Sequence, residues 1–105
     1  MAVIYDVYVE PEAHSVRRQL PGNVRQQNGR IIGGLDLEPR PPESQQLYAE
    51  ELSLPQDTEI WRVRIGRWRI VYAINDVEQR VWVLGIYRRP PYDYSDLSAL
   101  VGRIN

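Results

Sequence analysis

The fold is decided by residues 61–72, which read WRVRIGRWRIVY. Two runs rich in Val, Ile, Trp and Tyr, residue types that favour strands, flank the pair Gly66-Arg67. Glycine at the first central position favours a two-residue hairpin turn. The sequence therefore predicts an antiparallel pair of strands in which Arg64 lies opposite Arg69.

This register sorts the side chains of the hairpin onto two faces. Directly opposed residues share a face of a sheet, and so do residues two apart on a strand. Three arginines are thus predicted to stand together, and the apolar and aromatic side chains are predicted to face a core under helices. The two groups are Arg62, Arg64 and Arg69 on one face, and Trp61, Val63, Ile65, Trp68, Ile70 and Tyr72 on the other.

Pairing the next strand of the chain places Arg88 just beyond the level of Arg69. Like charges directly opposed on a sheet destabilise it, so a cluster of arginines indicates a preformed anion site. Planar guanidinium groups suit bidentate contacts with phosphate. The alternative is an exposed face whose arginines serve solubility or pair with the acidic connection at residues 38–59.

The rest of the chain predicts an α+β domain. It is expected to contain a mainly antiparallel sheet of about four strands, an N-terminal helical hairpin on one face and a short C-terminal helix. The predicted strands are 2–9, 60–65, 68–74 and 80–87, with a short strand around 52–54. The predicted helices open at Glu10-Pro11-Glu12, at a cap on Asn23 and at a cap on Ser95.

Composition limits the chemistry. A chain of 105 residues has room for a single domain, residues 1–105. The absence of cysteine excludes thiolate catalysis and cysteine-ligated zinc, and the single histidine, His14, disfavours a metal site or a Ser-His-Asp triad. Neither a signal peptide nor a membrane-spanning run is apparent, so the cytoplasm is the expected location and no membrane contact is expected.

Charge is segregated along the chain, although the net charge is only −1. All thirteen basic residues are arginine. Residues 61–92 carry seven arginines against two acids, a net of +5, whereas residues 34–60 carry seven acids against one arginine, a net of −6. This asymmetry indicates a surface that faces a polyanion beside an acidic one, or two solvated faces that balance each other.

The segment after the last strand reads RRPPYDY, residues 88–94. Arginine beside tyrosine is a common means of holding single-stranded nucleic acid, because one contacts phosphate and the other stacks on a base. The alternative is that Tyr92 and Tyr94 pack against the edge of the sheet.

Together these motifs resemble the RelE/ParE superfamily of bacterial type II toxins. The resemblance rests on LPGNVRQ at residues 20–26, EPRP at residues 38–41, the hairpin at residues 61–72 and the strand that ends at Arg88. It covers residues 4 to 94, and the Arg-x-Arg-x-Gly-x-aromatic-Arg-x-x-Tyr hairpin is its most specific part.

The resemblance implies a toxin that a cognate antitoxin neutralises, in a complex that could be a heterotetramer. In the RNA-cleaving branch it implies an mRNA interferase, an endoribonuclease that cuts mRNA on the ribosome by 2′-hydroxyl attack and so inhibits translation. Carried over by position, the catalytic residues are Arg62, Arg64, Arg69, Arg88 and Tyr92, or Tyr94 in place of Tyr92. Arg67, Arg89 and Tyr94 would bind RNA, and neither a metal nor another cofactor is implied.

Two departures from the superfamily pattern bear on mechanism. Arginines occupy the first two basic positions, where ribosome-dependent relatives often have lysines, and arginine stabilises charge but does not act as a general base. Tyr87 stands where some relatives have histidine, so proton abstraction would fall to Tyr92 or to the ribosome. The alternatives are a ParE-like DNA gyrase poison without nuclease activity, and an inactive relative that only binds its antitoxin.

Overall fold

The computed structural model describes residues 3–48 and 54–88 of the chain. Its elements, in chain order, are β1 (Asp6–Val9), α1 (Pro11–Arg18), α2 (Gly22–Gly34), β2 (Ser44–Leu47), β3 (Thr58–Ile65), β4 (Trp68–Asn75) and β5 (Arg80–Arg88). The strands form one sheet in the order β1-β5-β4-β3-β2. Only the β1–β5 pair is parallel. The predicted α+β class and the mainly antiparallel sheet are confirmed.

The central hairpin has the predicted register. Arg64 pairs with Arg69 and Arg62 pairs with Val71. Gly66 adopts a φ of 58°, a left-handed conformation that glycine reaches without the steric cost other residues incur. The turn chemistry therefore fixes which side chains of β3 and β4 share a face.

The sheet has five strands rather than about four, because β2 forms within the connection that the sequence assigned mostly to loop. Its sequence, SQQL, has no apolar alternation and only Leu47 as an aliphatic residue. β2 is an edge strand that pairs with β3 alone, so its backbone ladder stabilises it more than its side chains do. The strand expected around 52–54 lies largely outside the described residues, and Leu54 itself is not in a strand.

The structure corrects two further predictions, one about the burial of β1 and one about the start of α2. β1 begins at Asp6 and is an edge strand in which Asp6 and Tyr8 are exposed, so it is not buried on both faces. The helix α2 begins at Gly22 after Pro21, without a side-chain cap, so Asn23 is a helical residue rather than the cap. The predicted helix at 95–104 lies outside the described residues.

The helical hairpin covers one face of the sheet, which we call the helix face. Its core includes Val63, Ile70 and Val83 from the sheet, with Ile31 and Leu35 from the region of α2. The opposite face, which we call the far face, has a smaller apolar cluster of Ile60, Val71, Ala73 and Leu84. In the described ranges, no helix is long and apolar enough to cross a membrane.

An ionic network fastens the segment after α2 to the helix face. The guanidinium of Arg40 bonds to Glu59 at 2.6 Å and to Asp76 at 2.7 Å, and it lies 5.4 Å from the ring centroid of Trp61. The Tyr72 hydroxyl donates to the carbonyl of Pro39 at 2.7 Å, and burial raises the pKa of Tyr72 to about 12. The EPRP and Arg-x-x-Tyr motifs thus hold the fold together.

Candidate nucleic-acid interface

Three predicted site arginines meet on the far face, at the end of the sheet near the Gly66-Arg67 turn. Arg64 and Arg69 oppose each other across β3 and β4, and Arg62 lies one row further from the turn. We call this cluster of Arg62, Arg64 and Arg69 the arginine face. The structure brings together the three residues that the hairpin register predicts.

Arg62 is a buried cation with a single hydrogen-bond partner among the described residues. The residue is only 6% exposed, and its Nη2 donates a hydrogen bond to the side-chain oxygen of Gln45 on β2. Its Nε is buried and meets no acceptor. No carboxylate among the described residues pairs with it, so a buried cation is held by one neutral amide.

The two paired arginines differ in burial. Arg69 is 4% exposed, whereas Arg64 is exposed. Both make further interactions with the protein. A guanidinium keeps its charge in proteins, so this end of the far face carries concentrated positive charge beside an apolar floor formed by Val71 and Leu84.

A β-bulge in β5 determines which side chain of that strand joins the arginine face. The β4–β5 register shifts between Val71, which pairs with Gly85, and Tyr72, which pairs with Val83. Leu84 is the extra residue, and every residue beyond it turns to the face opposite the one that regular pairing predicts. Tyr87 is therefore the residue opposite Arg69.

Arg88 is consequently not on the arginine face. It pairs with Trp68, which packs against the helix-face core, and it lines a cleft beside α2. Arg88 has the predicted level along the sheet, but it lies on the helix face and does not join the three arginines with which the resemblance groups it. A one-residue bulge inside an apolar run leaves no composition signal that could have revealed this.

Tyr87 lies on the far face beside the arginine face, a position that the sequence does not predict. Its ring packs against the far-face cluster and folds over Gly85, so that a Cβ on Gly85 would lie only 2.6 Å from the ring carbon Cε2. Gly85 lies in the row of Arg62 and Val71. The phenol hydroxyl thus points back into that row, on the face that carries the arginines.

The remaining predicted site residues divide into two groups. Arg67 is exposed in the β3–β4 turn and lines the same cleft as Arg88. Arg89, Tyr92 and Tyr94 lie outside the described residues. Within residues 3–48 and 54–88, no group of His, Asp and Glu is arranged to hold a metal ion.

The acidic residues near the sheet are engaged on the helix face rather than across the arginines. Arg40 is the main cause that lowers the pKa of Glu59 and that of Asp76, because it donates hydrogen bonds to both carboxylates. Trp61 and Tyr5 donate further bonds to Glu59 and Asp76, respectively. These two acids are therefore satisfied away from the arginine face.

The fold is similar to that of several solved toxins. The RelE–RelB complex of the archaeon Pyrococcus horikoshii OT3 superposes with a TM-score of 0.71 at 21% identity, over 85% of this chain and 99% of that chain. The RelBE2 toxin–antitoxin complex of Mycobacterium tuberculosis gives 0.63 at 24% identity, over 83% and 100%. The isolated RelE toxin of E. coli gives 0.55 at 23% identity, over 96% and 99%.

The sequence matches no protein-family model and no curated protein. The structural neighbours nevertheless cover most of this chain and nearly all of their own. The fold that the hairpin motif implies is therefore confirmed: this chain has the architecture of the RelE toxins.

Proposed function

We propose, from a fold shared with the RelE toxins, that this chain is the toxin of a type II toxin–antitoxin system and acts as an mRNA interferase. It would cleave mRNA on the ribosome and so inhibit translation, which places it in the cytoplasm. Its partners would be a cognate antitoxin, mRNA and the ribosome.

The observation that carries the proposal is the burial of Arg62 without a carboxylate partner in the part of the chain that the structure describes. A buried cation with one amide oxygen as its hydrogen-bond partner costs folding free energy, so a ligand that brings negative charge to it would recover part of that cost. A phosphate entering beside Arg62, Arg64 and Arg69 would supply the missing negative charge. RNA presents such a group at every nucleotide.

The proposed reaction is transfer of a phosphoryl group within the RNA. The ribose 2′-oxygen bonds to the adjacent phosphorus as the bond to the 5′-oxygen of the next nucleotide breaks. The 2′-hydroxyl gives up its proton and the leaving 5′-oxygen gains one. The arginines stabilise the extra negative charge of the pentacoordinate state and hold the attacking and leaving oxygens in line.

Proton transfer is the step that arginine does not perform, so we assign it to a tyrosine or to the ribosome. Tyr92, or Tyr94, holds this place by resemblance. Tyr87 supports the proposal from inside the site, because its hydroxyl lies on the arginine face. Tyr72 does not fit, since it lies on the helix face and its proton is engaged by Pro39.

The arginine face is also the surface at which we expect an antitoxin to bind. The structural neighbours include RelE–RelB and RelBE complexes. We propose that the antitoxin brings acidic residues to the arginine face and assembles with this chain, as a heterodimer or a heterotetramer.

Induced expression followed by pulse labelling tests the proposed branch. Translation should stop at once, so that the incorporation of labelled methionine into protein falls before the incorporation of labelled thymidine into DNA. The mRNA should be cut. An Arg69→Ala variant should leave both labels unchanged. A fall in DNA synthesis alone, with intact mRNA and blocked gyrase supercoiling, would identify a ParE-like gyrase poison instead. No effect of the wild-type chain on either label would identify an inactive antitoxin-binding relative.

A further inference from the structure

A second basic site lies on the helix face, behind the arginine face. A cleft of about 340 Å³ opens between the start of α2 and the β3–β4 turn. Its walls are Pro21, Asn23, Val24, Arg67, Trp68 and Arg88. The site thus combines an aromatic ring and two arginines with the polar side chain of Asn23 and the apolar side chains of Pro21 and Val24.

Among residues 3–48 and 54–88, the cations of the cleft have no counter-charge. Arg67 and Arg88 are exposed, and neither forms an ion pair with any described residue. None of the described residues that line the cleft is acidic. The charge complement of this cleft is therefore an anion.

The aromatic component favours a nucleotide over a simple anion. Trp68 is half-buried, so it presents part of its indole to the cleft while the rest packs against the core. An indole is a good stacking surface for any base, and an adjacent guanidinium contacts the phosphate that accompanies the base. Val24 and Pro21 complete an apolar wall opposite the polar edge.

Position along the sheet connects the cleft to the arginine face. Arg64 and Arg69 form the second pair of residues back from the hairpin turn that carries Arg67, directly after Ile65 and Trp68. Arg88 is the neighbour of Tyr87, which lies opposite Arg69. The end of the sheet therefore presents cations on both faces with a single turn between them, so a single phosphate backbone can pass from one set to the other.

We propose that this cleft binds a nucleotide of the RNA substrate next to the cleavage site, with its base on Trp68 and its phosphate between Arg67 and Arg88. This inference rests on the proposed function, and it makes Arg88 a substrate-positioning residue rather than part of the arginine face. The bulge at Leu84 is what creates the division, because it directs Tyr87 to one face and Arg88 to the other.

The test uses the intact chain and a single-stranded oligoribonucleotide with 2′-O-methyl groups, which has no nucleophile and is not cleaved. A variant with Trp61→Phe and Trp82→Phe leaves Trp68 as the only tryptophan. Its fluorescence should be quenched with the same midpoint that the anisotropy of the labelled oligonucleotide gives. Trp68→Ala should weaken binding roughly tenfold to a hundredfold, and Trp68→Phe should restore most of it.

Arg67→Ala provides a second variant that does not disturb the core, because Arg67 is exposed in a turn. It should weaken binding several-fold. Arg80→Ala is the matched control, since Arg80 is an exposed arginine at the opposite end of β5 and should leave binding unchanged.

The outcomes separate this inference from the proposed function. If the oligonucleotide binds the wild-type chain but binds the Trp68 and Arg67 variants equally well, the cleft is not a nucleotide site while the proposed function stands. If the wild-type chain does not bind the oligonucleotide by anisotropy, this inference is wrong, whereas the proposed function on the ribosome is decided by the pulse-labelling experiment. If a Glu-Leu repeat peptide quenches Trp68 and the oligonucleotide does not, the cleft is a protein-binding site and the inference is overturned.

Discussion

At the scale of single residues, Arg62 is expected to lower the stability of the chain and to be needed for RNA cleavage. Replacing it with methionine fills a similar volume and removes a buried cation whose hydrogen-bond partner among the described residues is the neutral amide of Gln45. We expect Arg62→Met to raise the free energy of unfolding by about 1 kcal/mol and to abolish RNA cleavage. Denaturant unfolding and a cleavage assay measure the two effects.

The matched control for that substitution is Arg80→Met, which removes an exposed arginine from the same sheet. It should change neither stability nor cleavage appreciably. If Arg62→Met unfolded the chain or left cleavage intact, Arg62 would be a structural residue and not part of an anion site.

Tyr87 can be tested through the residue beneath it. Alanine at position 85 would place a Cβ where the Tyr87 ring lies, and the ring is the part that can move. Gly85→Ala should therefore displace the hydroxyl and slow cleavage as much as Tyr87→Phe does. Single-turnover cleavage rates compare the two, and a Gly85→Ala variant with the wild-type rate would show that the position of Tyr87 does not matter.

Asn28 is a buried polar residue that lowers the stability of the chain, because its amide has no hydrogen-bond partner among the described residues. It lies on α2, fully buried, with neither the oxygen nor the nitrogen of its amide hydrogen-bonded. Asn28→Leu keeps the number and branching of the side-chain heavy atoms and should stabilise the chain by about 1–2 kcal/mol, whereas Asn23→Leu at an exposed site of α2 should have little effect. Thermal unfolding decides, and a lower Tm for Asn28→Leu would contradict the prediction.

At the level of elements, the Arg40 network makes stability depend on pH. Because Arg40 lowers the pKa of Glu59 and of Asp76, their contribution is present above their unfolded pKa values and is lost as pH falls through the lower, folded values. The contribution is about 1 kcal/mol, since both carboxylates are partly exposed to solvent.

Arg40→Met should therefore destabilise the chain at neutral pH and flatten the fall in stability below about pH 4.5. Denaturant unfolding at several pH values measures this slope. Arg30→Met is the control, because Arg30 approaches Glu43 only at 4.0 Å on an exposed surface. An unchanged slope in Arg40→Met would mean that other groups govern the acid transition.

The elements also show what sequence reasoning can reach. The central hairpin is predictable because turn chemistry and the period-two pattern agree at Gly66 and at Trp61 through Tyr72. The strand β2 is not predictable, because the sequence SQQL forms a strand only through its backbone pairing with β3. The bulge at Leu84 is invisible for a similar reason: every residue near it is apolar, so either register buries apolar side chains.

The same limit explains the candidate site. Arg62, Arg64 and Arg69 were predictable from local pairing, since only one turn separates the strands that carry them. The faces of Tyr87 and Arg88 were not predictable, because the orientation of these residues depends on a bulge and not on any residue type. Gln45 was missed altogether, since nothing local relates an edge strand to the arginine it contacts.

For the whole molecule, the two basic surfaces predict strong dependence of RNA binding on salt. The five arginines on the two faces are Arg62, Arg64, Arg67, Arg69 and Arg88. If each neutralises one phosphate, the logarithm of the binding constant should fall with the logarithm of salt concentration with a slope of about −3 to −4. Arg67→Ala should make the slope shallower by about 0.7, and Arg80→Ala should not change it. A slope near zero would rule out phosphate binding by these surfaces.

The chemistry of the RNA ends tests the central claim most directly. Messenger RNA is incubated with ribosomes and either the wild-type chain or Arg62→Met, and the termini at each new cut are identified. Attack by the ribose 2′-hydroxyl predicts a 2′,3′-cyclic phosphate or 3′-phosphate upstream and a 5′-hydroxyl downstream, with no new ends for the variant. A free 3′-hydroxyl with a 5′-phosphate, or the same cuts with Arg62→Met, would contradict the account.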